Sequence, residues 1–320
     1  GSCGAGANLA GELRVGDFGR CRIVAVAVTH RPVPELFGRC MGACRPQVDE
    51  LLIVDNGSSA AAVEALRAQA QALGCALLAL GTNLGIAAAQ NRGIAWARER
   101  GASHVLLLDQ DSVPASDMVA RLLQALEGAT RAGQRVAAVG PRLVDRRSRV
   151  STPFVRIGVA GVHRLACGGA PGQTHETDFL VASGALIPLP VLDAVGPMEE
   201  GLFIDNVDLE WCFRARARGY ALLGVCDAVL EHSVGDQVVH VAGRALYRHG
   251  PLRQYYIMRN RIALYRRPYS PWGWVVQDFL RMGVKLVLFG LVFAPRRENL
   301  RMMARGLIDG LRGRSGPFPG

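Results

Sequence analysis

The sequence predicts an α/β domain on a mainly parallel sheet, followed by a helical, basic extension. Three observations carry this. Short apolar runs suited to buried strands alternate with helical stretches from residue 22 to about residue 132, the pattern of successive β-α units. The first four runs end in polar residues: Thr29-His30-Arg31, Asp55-Asn56, Asn83, and Asp109 with Asp111. The charge is also uneven. Residues 241–320 hold 15 of the 37 Lys+Arg but only 3 of the 27 Asp+Glu, a net of +12, while residues 1–240 carry a net of −2.

The elements follow in order. GSCGAGANLAG reads as a flexible leader within residues 1–20. CRIVAVAVTHRP (21–32) is a buried strand that stops at Thr29–Pro32, and PELFGRCMGAC has helical spacing. VDELLIVDNGSS (48–59) is a second strand running into an Asp-Asn-Gly turn, with Ser58 or Ser59 placed to cap the helix over 60–74. CALLALGTNLG (75–85) is a third strand, and 86–101 is a helix ended by glycine. HVLLLDQDSVP is the next strand, then come a helix over 115–132 and a strand over 136–144. Residues 145–178 read as loops and short strands, 178–188 as a strand with a Ser-Gly interruption, 191–220 as two helices, and 221–232 as a last strand ending at His232. The catalytic domain is thus expected over 21–240 and the extension over 241–320.

In that extension 251–267 and 272–297 are helical. The longest charge-free run, 286–295, is too short for a bilayer span of about 20 residues. Trp272, Trp274, Phe279, Phe289 and Phe293 mix with Arg281, Lys285, Arg296 and Arg297, which suits a helix lying at an anionic membrane surface; a helical pair packed on the catalytic domain explains the same pattern. The eight cysteines show no metal-ligand spacing and no secretory signal precedes them, so they are expected to be reduced thiols in a cytoplasmic protein. No nucleic-acid motif accompanies the basic segment.

The chemistry is concentrated at the strand ends, where open α/β sheets bind ligands. Asp109 and Asp111 are two residues apart at the end of an apolar strand and can share a face. Two carboxylates so placed repel unless a cation lies between them, and hard Mn2+ or Mg2+ with open positions for phosphate fits. A strand end followed by an ordinary turn is the plain alternative. Asp55 can accept hydrogen bonds from a nucleoside or belong to a turn. Asn83 and Gly85 open a helix whose amides could face phosphate, or mark a small-residue packing face. Asp205 can cap a helix with Asp208 in its first turn, yet a carboxylate there is equally a general base for an acceptor hydroxyl. Glu210 and Arg214 are spaced to pair on that helix's surface. His232, at a strand end, is a structural histidine or a third metal ligand.

Taken together, VAVAVTHRP, LLIVDNGSS, LGTNLGIAAAQNRGI, LLLDQDS, VASGALIP, GLFIDNVDLEWCFRARARGY, EHSVGD and YYIMRNRIAL resemble, in order over residues 22–265, a family 2 glycosyltransferase of the GT-A fold, specifically the bacterial rhamnosyltransferase branch. The resemblance implies inverting transfer of a sugar from a nucleotide donor, dTDP-L-rhamnose in this branch, to a growing surface glycan that is often linked to a polyprenyl diphosphate. It implies that Thr29 and Asp55 hold the nucleoside, that Asp109 and Asp111 are the D-x-D metal motif completed by His232, and that Asp208 is the catalytic base. Ser183 and Gly184 match the loop under the donor diphosphate, and Trp211 matches an acceptor-side aromatic. Such an enzyme works at the cytoplasmic face of a membrane. Two rivals share parts of the pattern: a haloacid-dehalogenase-like phosphatase, in which Asp109 of LLLDQDSV is a nucleophile, and a catalytically inactive membrane-associated module of the same fold.

Overall fold

The computed structural model describes residues 21–146, 148–158, 161–232, 237–241, 244–248 and 250–320. The expected leader and the Ser233–Asp236 part of EHSVGD lie outside these residues.

The first half is a regular β-α succession: β1 (Ile23–Thr29), α1 (Pro34–Cys44), β2 (Glu50–Asp55), α2 (Ala60–Leu73), β3 (Ala76–Ala79), α3 (Ile86–Glu99) and β4 (His104–Asp109). β1 is buried throughout because helices cover both of its faces, which is why it reads as an unbroken apolar run. Its alternate side chains feed two cores: Val24, Val26 and Val28 join one cluster, and Ile23, Ala25 and Ala27 the other. Ser59 caps α2 by accepting from the Ala62 amide, and Gly74 ends it at φ 60°. α3 lies so close to β1 that a Cβ on Gly93 would meet Val26 Cγ1 at 2.1 Å.

The second half is more irregular. It comprises β5 (Ser112–Pro114), α4 (Met118–Arg131), β6 (Val136–Asp145), β7 (Phe154–Ile157), β8 (Val162–Leu165), β9 (Thr174–Thr177), β10 (Leu186–Pro188), α5 (Leu189–Val195), α6 (Val207–Ala217) and β11 (Ala221–His232). A hairpin of β12 (Gln237–Val241) and β13 (Arg244–Arg248) follows. Three helices close the chain: α7 (Pro251–Tyr265), α8 (Trp272–Val287) and α9 (Arg296–Leu311). The nine-stranded sheet runs β3-β2-β1-β4-β10-β6-β11-β5, with β9 also on β11. β1, β2, β3 and β4 are mutually parallel, as are β6 and β11, while β10 is antiparallel to both of its neighbours. This is the GT-A architecture.

One crossing in this order shapes the site. Directly after Asp109 the chain leaves the middle of the sheet, and β5 pairs with the far end of β11, setting Ser112 opposite His232.

Several expectations change. Within 178–188 only β10 is a strand, because Ser183 and Gly184 form a turn, with Gly184 at φ 84°. The expected helix over 272–297 ends at Val287, passes through a π-helical turn at Leu288–Val292, and restarts as α9 beyond Pro295. The cysteines are not all free thiols: Cys167 and Cys226 form a disulfide with Cα atoms 5.5 Å apart. Spacing hid this pair, because its members lie 59 residues apart and meet only through the antiparallel pairing of β9 with β11. Among the described residues no helix is long and apolar enough to cross a membrane.

Candidate active site

The parallel register assembles one edge of the site. Thr29 stands opposite Asp55, and Val28 opposite Asp109, so three expected residues meet at the carboxyl ends of β1, β2 and β4. Gln110, the middle residue of DQD, ties these strands together. Its carbonyl oxygen accepts from the Thr29 hydroxyl and the His30 amide, both at 2.8 Å. Thr29 is thereby fixed by Gln110, which sequence reasoning passed over between two acids. Asp55 is fully buried; its Oδ2 accepts from the Ser58 amide at 3.0 Å, and its Oδ1 has no partner. A buried carboxylate oxygen without a donor is an open acceptor position.

Asn83 and Gly85 lie on the same edge but are occupied structurally. Asn83 Oδ1 accepts from the Gly85 amide and from Asn56 Nδ2, while Asn56 Oδ1 accepts from the Leu84 amide. The Ile86 amide donates to the Phe203 carbonyl at 2.7 Å. The amides of Leu84, Gly85 and Ile86 are thus used within the fold. Gly85 is required for close packing: at φ 89°, a Cβ there would meet the Phe203 carbonyl oxygen at 2.5 Å.

The acidic centre lies beside this edge. Asp109 receives support from Ser183, whose hydroxyl accepts from the Asp109 amide at 3.0 Å. Gly184 allows the tight turn that presents Ser183, since a Cβ there would meet Pro141 at 2.5 Å. Burial, then the neighbouring Asp111 carboxylate, push Asp109 up to about 6, while Arg253 pulls the other way. His232 Nδ1 lies 3.9 Å from Asp111 Oδ1 and 2.9 Å from the Ser112 hydroxyl. Asp111 thus lies within electrostatic reach of Asp109, and His232 lies beside Asp111; the donor types suit a hard divalent cation. Asp109, Asp111 and His232 are the residues that could hold it.

Asp208 enters from the N-terminal turn of α6. Its Oδ1 accepts from the Leu209 amide at 2.9 Å. Burial raises it to about 6 against the backbone bonds from Leu209 and Ala182, and Asp109 and Asp205 add to the rise. A carboxyl group poised near neutrality beside the metal-type cluster suits proton abstraction.

The loop before α6 departs from the expectation. Asp205 does not cap the helix; Asn206 occupies that position at φ 62°, and Asp205 itself forms a forked ion pair with Arg253, with N–O distances of 3.1 to 3.2 Å. Phe203, Asp205 and Asn206 all have φ between 62° and 64°, a region unfavourable for residues other than glycine. The chain is held there by α7. Asn260 Nδ2 donates to the carbonyls of Leu202, Ile204 and Asp205, and Arg259 donates to those of Gly201, Leu202 and Gly316. The Tyr256 ring stacks on Phe203 at 5.1 Å. None of Arg253, Arg259 and Asn260 was singled out from the sequence, although Arg259 and Asn260 lie inside the motif YYIMRNRIAL.

Two further expectations are corrected. Trp211 is 2% exposed, belongs to the main core and donates its indole N–H to the Gly196 carbonyl, so it offers no face to an acceptor. Glu210 and Arg214 do pair, but not on the surface: Glu210 is 1% exposed and also accepts from the Tyr269 hydroxyl at 2.6 Å. An apolar cavity of about 150 Å³, lined by Pro141, Leu143, Phe154, Phe179 and Leu180, adjoins Ser183.

A GT-A sheet with acidic strand ends, the Asp109–Asp111 pair, His232 beside Asp111 and a buried carboxyl group at Asp208 is an arrangement suited to a nucleotide sugar and a cation. The model for Glycosyl transferase family 2 matches residues 24–163. The chain is 29% identical over 303 residues to dTDP-rhamnosyl transferase RfbF of Shigella flexneri, covering 92% of this chain and 97% of the relative. Solved structures share the fold. GalNAc-T7 with UDP, GalNAc and Mn2+ superposes at a TM-score of 0.58 and 12% identity, over 91% of this chain and 56% of the other. The mannosyltransferase PcManGT of Pyrobaculum calidifontis, with GDP-Man and Mn2+, gives 0.54 at 17% identity over 92% and 88%. S. aureus TarS gives 0.55 at 12% over 91% and 49%, so the chain spans about half the length of TarS and of GalNAc-T7. Neither the phosphatase nor the inactive-module reading is favoured by this set.

Proposed function

We propose that the protein transfers L-rhamnose from dTDP-L-rhamnose, with inversion at the anomeric carbon, to a hydroxyl of a surface glycan carried on a polyprenyl diphosphate. The observation that carries the chemistry is that Asp208 lies within electrostatic reach of Asp109, itself beside Asp111. The likeness to RfbF supports the donor. The unpartnered Oδ1 of Asp55 suits a donor group of the nucleoside, with Thr29 beside it. The apolar cavity next to Ser183 suits the methyl group of a 6-deoxy sugar better than a hydroxymethyl group.

In this reading Asp208 takes the proton of the acceptor hydroxyl, whose oxygen attacks the anomeric carbon from the face opposite the diphosphate. One bond forms as the other breaks, so configuration inverts and no covalent enzyme intermediate arises. Mn2+ or Mg2+ held by Asp109, Asp111 and His232 supplies, when bound, positive charge against the departing diphosphate. Ser183 and the Gly184 turn keep Asp109 in place, and Gln110 sets the spacing of the nucleoside and metal edges.

The helix α8 supports a membrane-facing acceptor. Trp272, Val276, Phe279, Leu280, Val284 and Val287 are all exposed and recur at helical spacing along one stripe, flanked by Arg281 and Lys285. That composition suits a helix lying in an anionic headgroup layer. The deciding experiment offers dTDP-L-rhamnose, dTDP-glucose, UDP-glucose and GDP-mannose with Mn2+ and reads donor hydrolysis and thermal protection. Selective action on dTDP-L-rhamnose, lost in EDTA and restored by Mn2+ or Mg2+, is expected. Preference for a UDP or GDP sugar overturns the donor assignment, and full activity in EDTA overturns the metal assignment.

A further inference from the structure

Among the described residues outside the catalytic edge, one cluster has the composition of a metal site. We propose that Cys167, Cys226 and His175 bind a Zn2+ ion when the bridge between the two cysteines is reduced. The sulfur atoms and a ring nitrogen of His175 all lie within 4.8 Å of one another. The inference does not depend on which sugar the enzyme transfers.

Strand geometry explains the convergence. In the antiparallel pairing of β9 with β11, His175 stands opposite Gly224 and Thr174 opposite Val225. Side chains two residues apart share a face, so Cys226 and His175 are diagonal neighbours on one side of the ladder. Gly224 contributes no side chain between them, and the space over it is taken by the Phe154 ring, which lies 6.2 Å from the His175 ring. Cys167 reaches the same place from the turn between β8 and β9.

That turn is fastened without the sulfur–sulfur bond. The Cys226 amide donates to the Gln173 carbonyl at 2.9 Å, the Gly172 amide to Asp227 Oδ2 at 2.6 Å, and the Gly168 amide to Gln173 Oε1 at 2.8 Å. Reduction therefore leaves the ligands close together. A tetrahedral Zn2+ with bonds of about 2.3 Å to sulfur and 2.0 Å to nitrogen needs the sulfurs about 3.8 Å apart, a small opening of a bridge whose Cα atoms are 5.5 Å apart. His175 Nε2 also lies 3.1 Å from the Ala166 carbonyl. With Gln173 Nε2 at 3.3 Å from the same ring nitrogen, His175 is held by outer contacts of the kind that orient metal-bound histidines.

The chemistry balances. A dithiol reductant delivers two electrons and two protons to the disulfide and is itself oxidised, leaving two thiols. Zn2+ then displaces both thiol protons, and two thiolates with a neutral imidazole give a site of zero net charge with a fourth position for water. The disulfide and the metal are mutually exclusive occupants, so redox poise decides which one fastens the β8–β9 turn to β11.

The test uses the full chain carrying Asp111→Asn, which removes a ligand from the catalytic cluster. Protein reduced with a phosphine and freed of metal is titrated anaerobically with Co2+ and then Zn2+. Expected are thiolate-to-cobalt absorption saturating at one equivalent, its bleaching by one equivalent of Zn2+, and release of two protons. The band should vanish in Cys167→Ser and Cys226→Ser, and His175→Ala should weaken affinity at least tenfold. Oxidised protein should give no band. A reduced protein without the band, or a band that survives in the Cys167→Ser/Cys226→Ser double variant, overturns the proposal. Circular dichroism of each variant excludes loss of fold as the cause.

Discussion

As the proposed base, Asp208 sets function against stability at a single residue. Its carboxyl group is raised from 3.8 to about 6 chiefly by burial. A base must be deprotonated to act, so the rate of transfer should fall about tenfold per pH unit below that value and level off above it, as kcat against pH will report. Asp208→Asn should lower kcat by at least about 10²-fold while leaving donor binding intact, measured by single-turnover transfer and by calorimetry. The stability effect has the opposite sign. A carboxyl group whose folded value is raised favours the protonated fold, so its contribution declines as pH rises from about 4 through 6. Metal-free Asp208→Asn should therefore melt higher than the parent at pH 8. A variant that retains near-parental turnover removes Asp208 from the role of base.

At the scale of elements, α7 holds the loop that leads into Asp208. The loop 201–206 carries three non-glycine residues at positive φ, a conformation that persists only where neighbours over-determine it. Asn260 supplies three of the restraining hydrogen bonds and Arg259 two more. Asn260→Ala should leave three carbonyls without that donor and let Asp208 drift, lowering kcat about tenfold or more with donor KM changed little, because the donor edge at β1 and β2 does not touch Asn260. Equal losses in kcat and donor affinity would point to general unfolding instead. Gly85→Ala perturbs the same loop from the opposite side, through the Phe203 carbonyl, and adds strain at φ 89°. It should both destabilise the fold and reduce transfer, seen as a lower Tm together with a lower kcat.

At the scale of the whole molecule, the basic segment has two faces. One is integrated into the catalytic body: Leu264 and Trp274 belong to the main core, and Arg259 reaches under the base loop. The other presents the exposed apolar stripe of α8. A membrane-facing role for that stripe predicts that Phe279→Glu with Leu280→Glu abolishes sedimentation with anionic vesicles and spares transfer to a water-soluble acceptor. Vesicle binding unchanged by the pair would relieve α8 of this role. Unchanged sedimentation with neutral vesicles would show that apolar contact, without charge, suffices.

The sequence by itself determined the alternation of strands and helices, the acidic strand ends and the candidacy of Asp55, Asp109, Asp111, Asp208 and His232. These are local signals: apolar runs of strand length, turn residues after them, and acids spaced to share a face. Tertiary structure decided what depends on distant segments meeting. The jump from β4 to β5 brings His232 beside Asp111 across 121 residues. The pairing of β9 with β11 joins Cys167 to Cys226, and only packing reveals Trp211 as core and the amides near Asn83 as already engaged. The grip of Asn260 on the base loop is likewise absent from any local pattern, because an asparagine's partners are three backbone carbonyls whose positions exist only once the chain has folded.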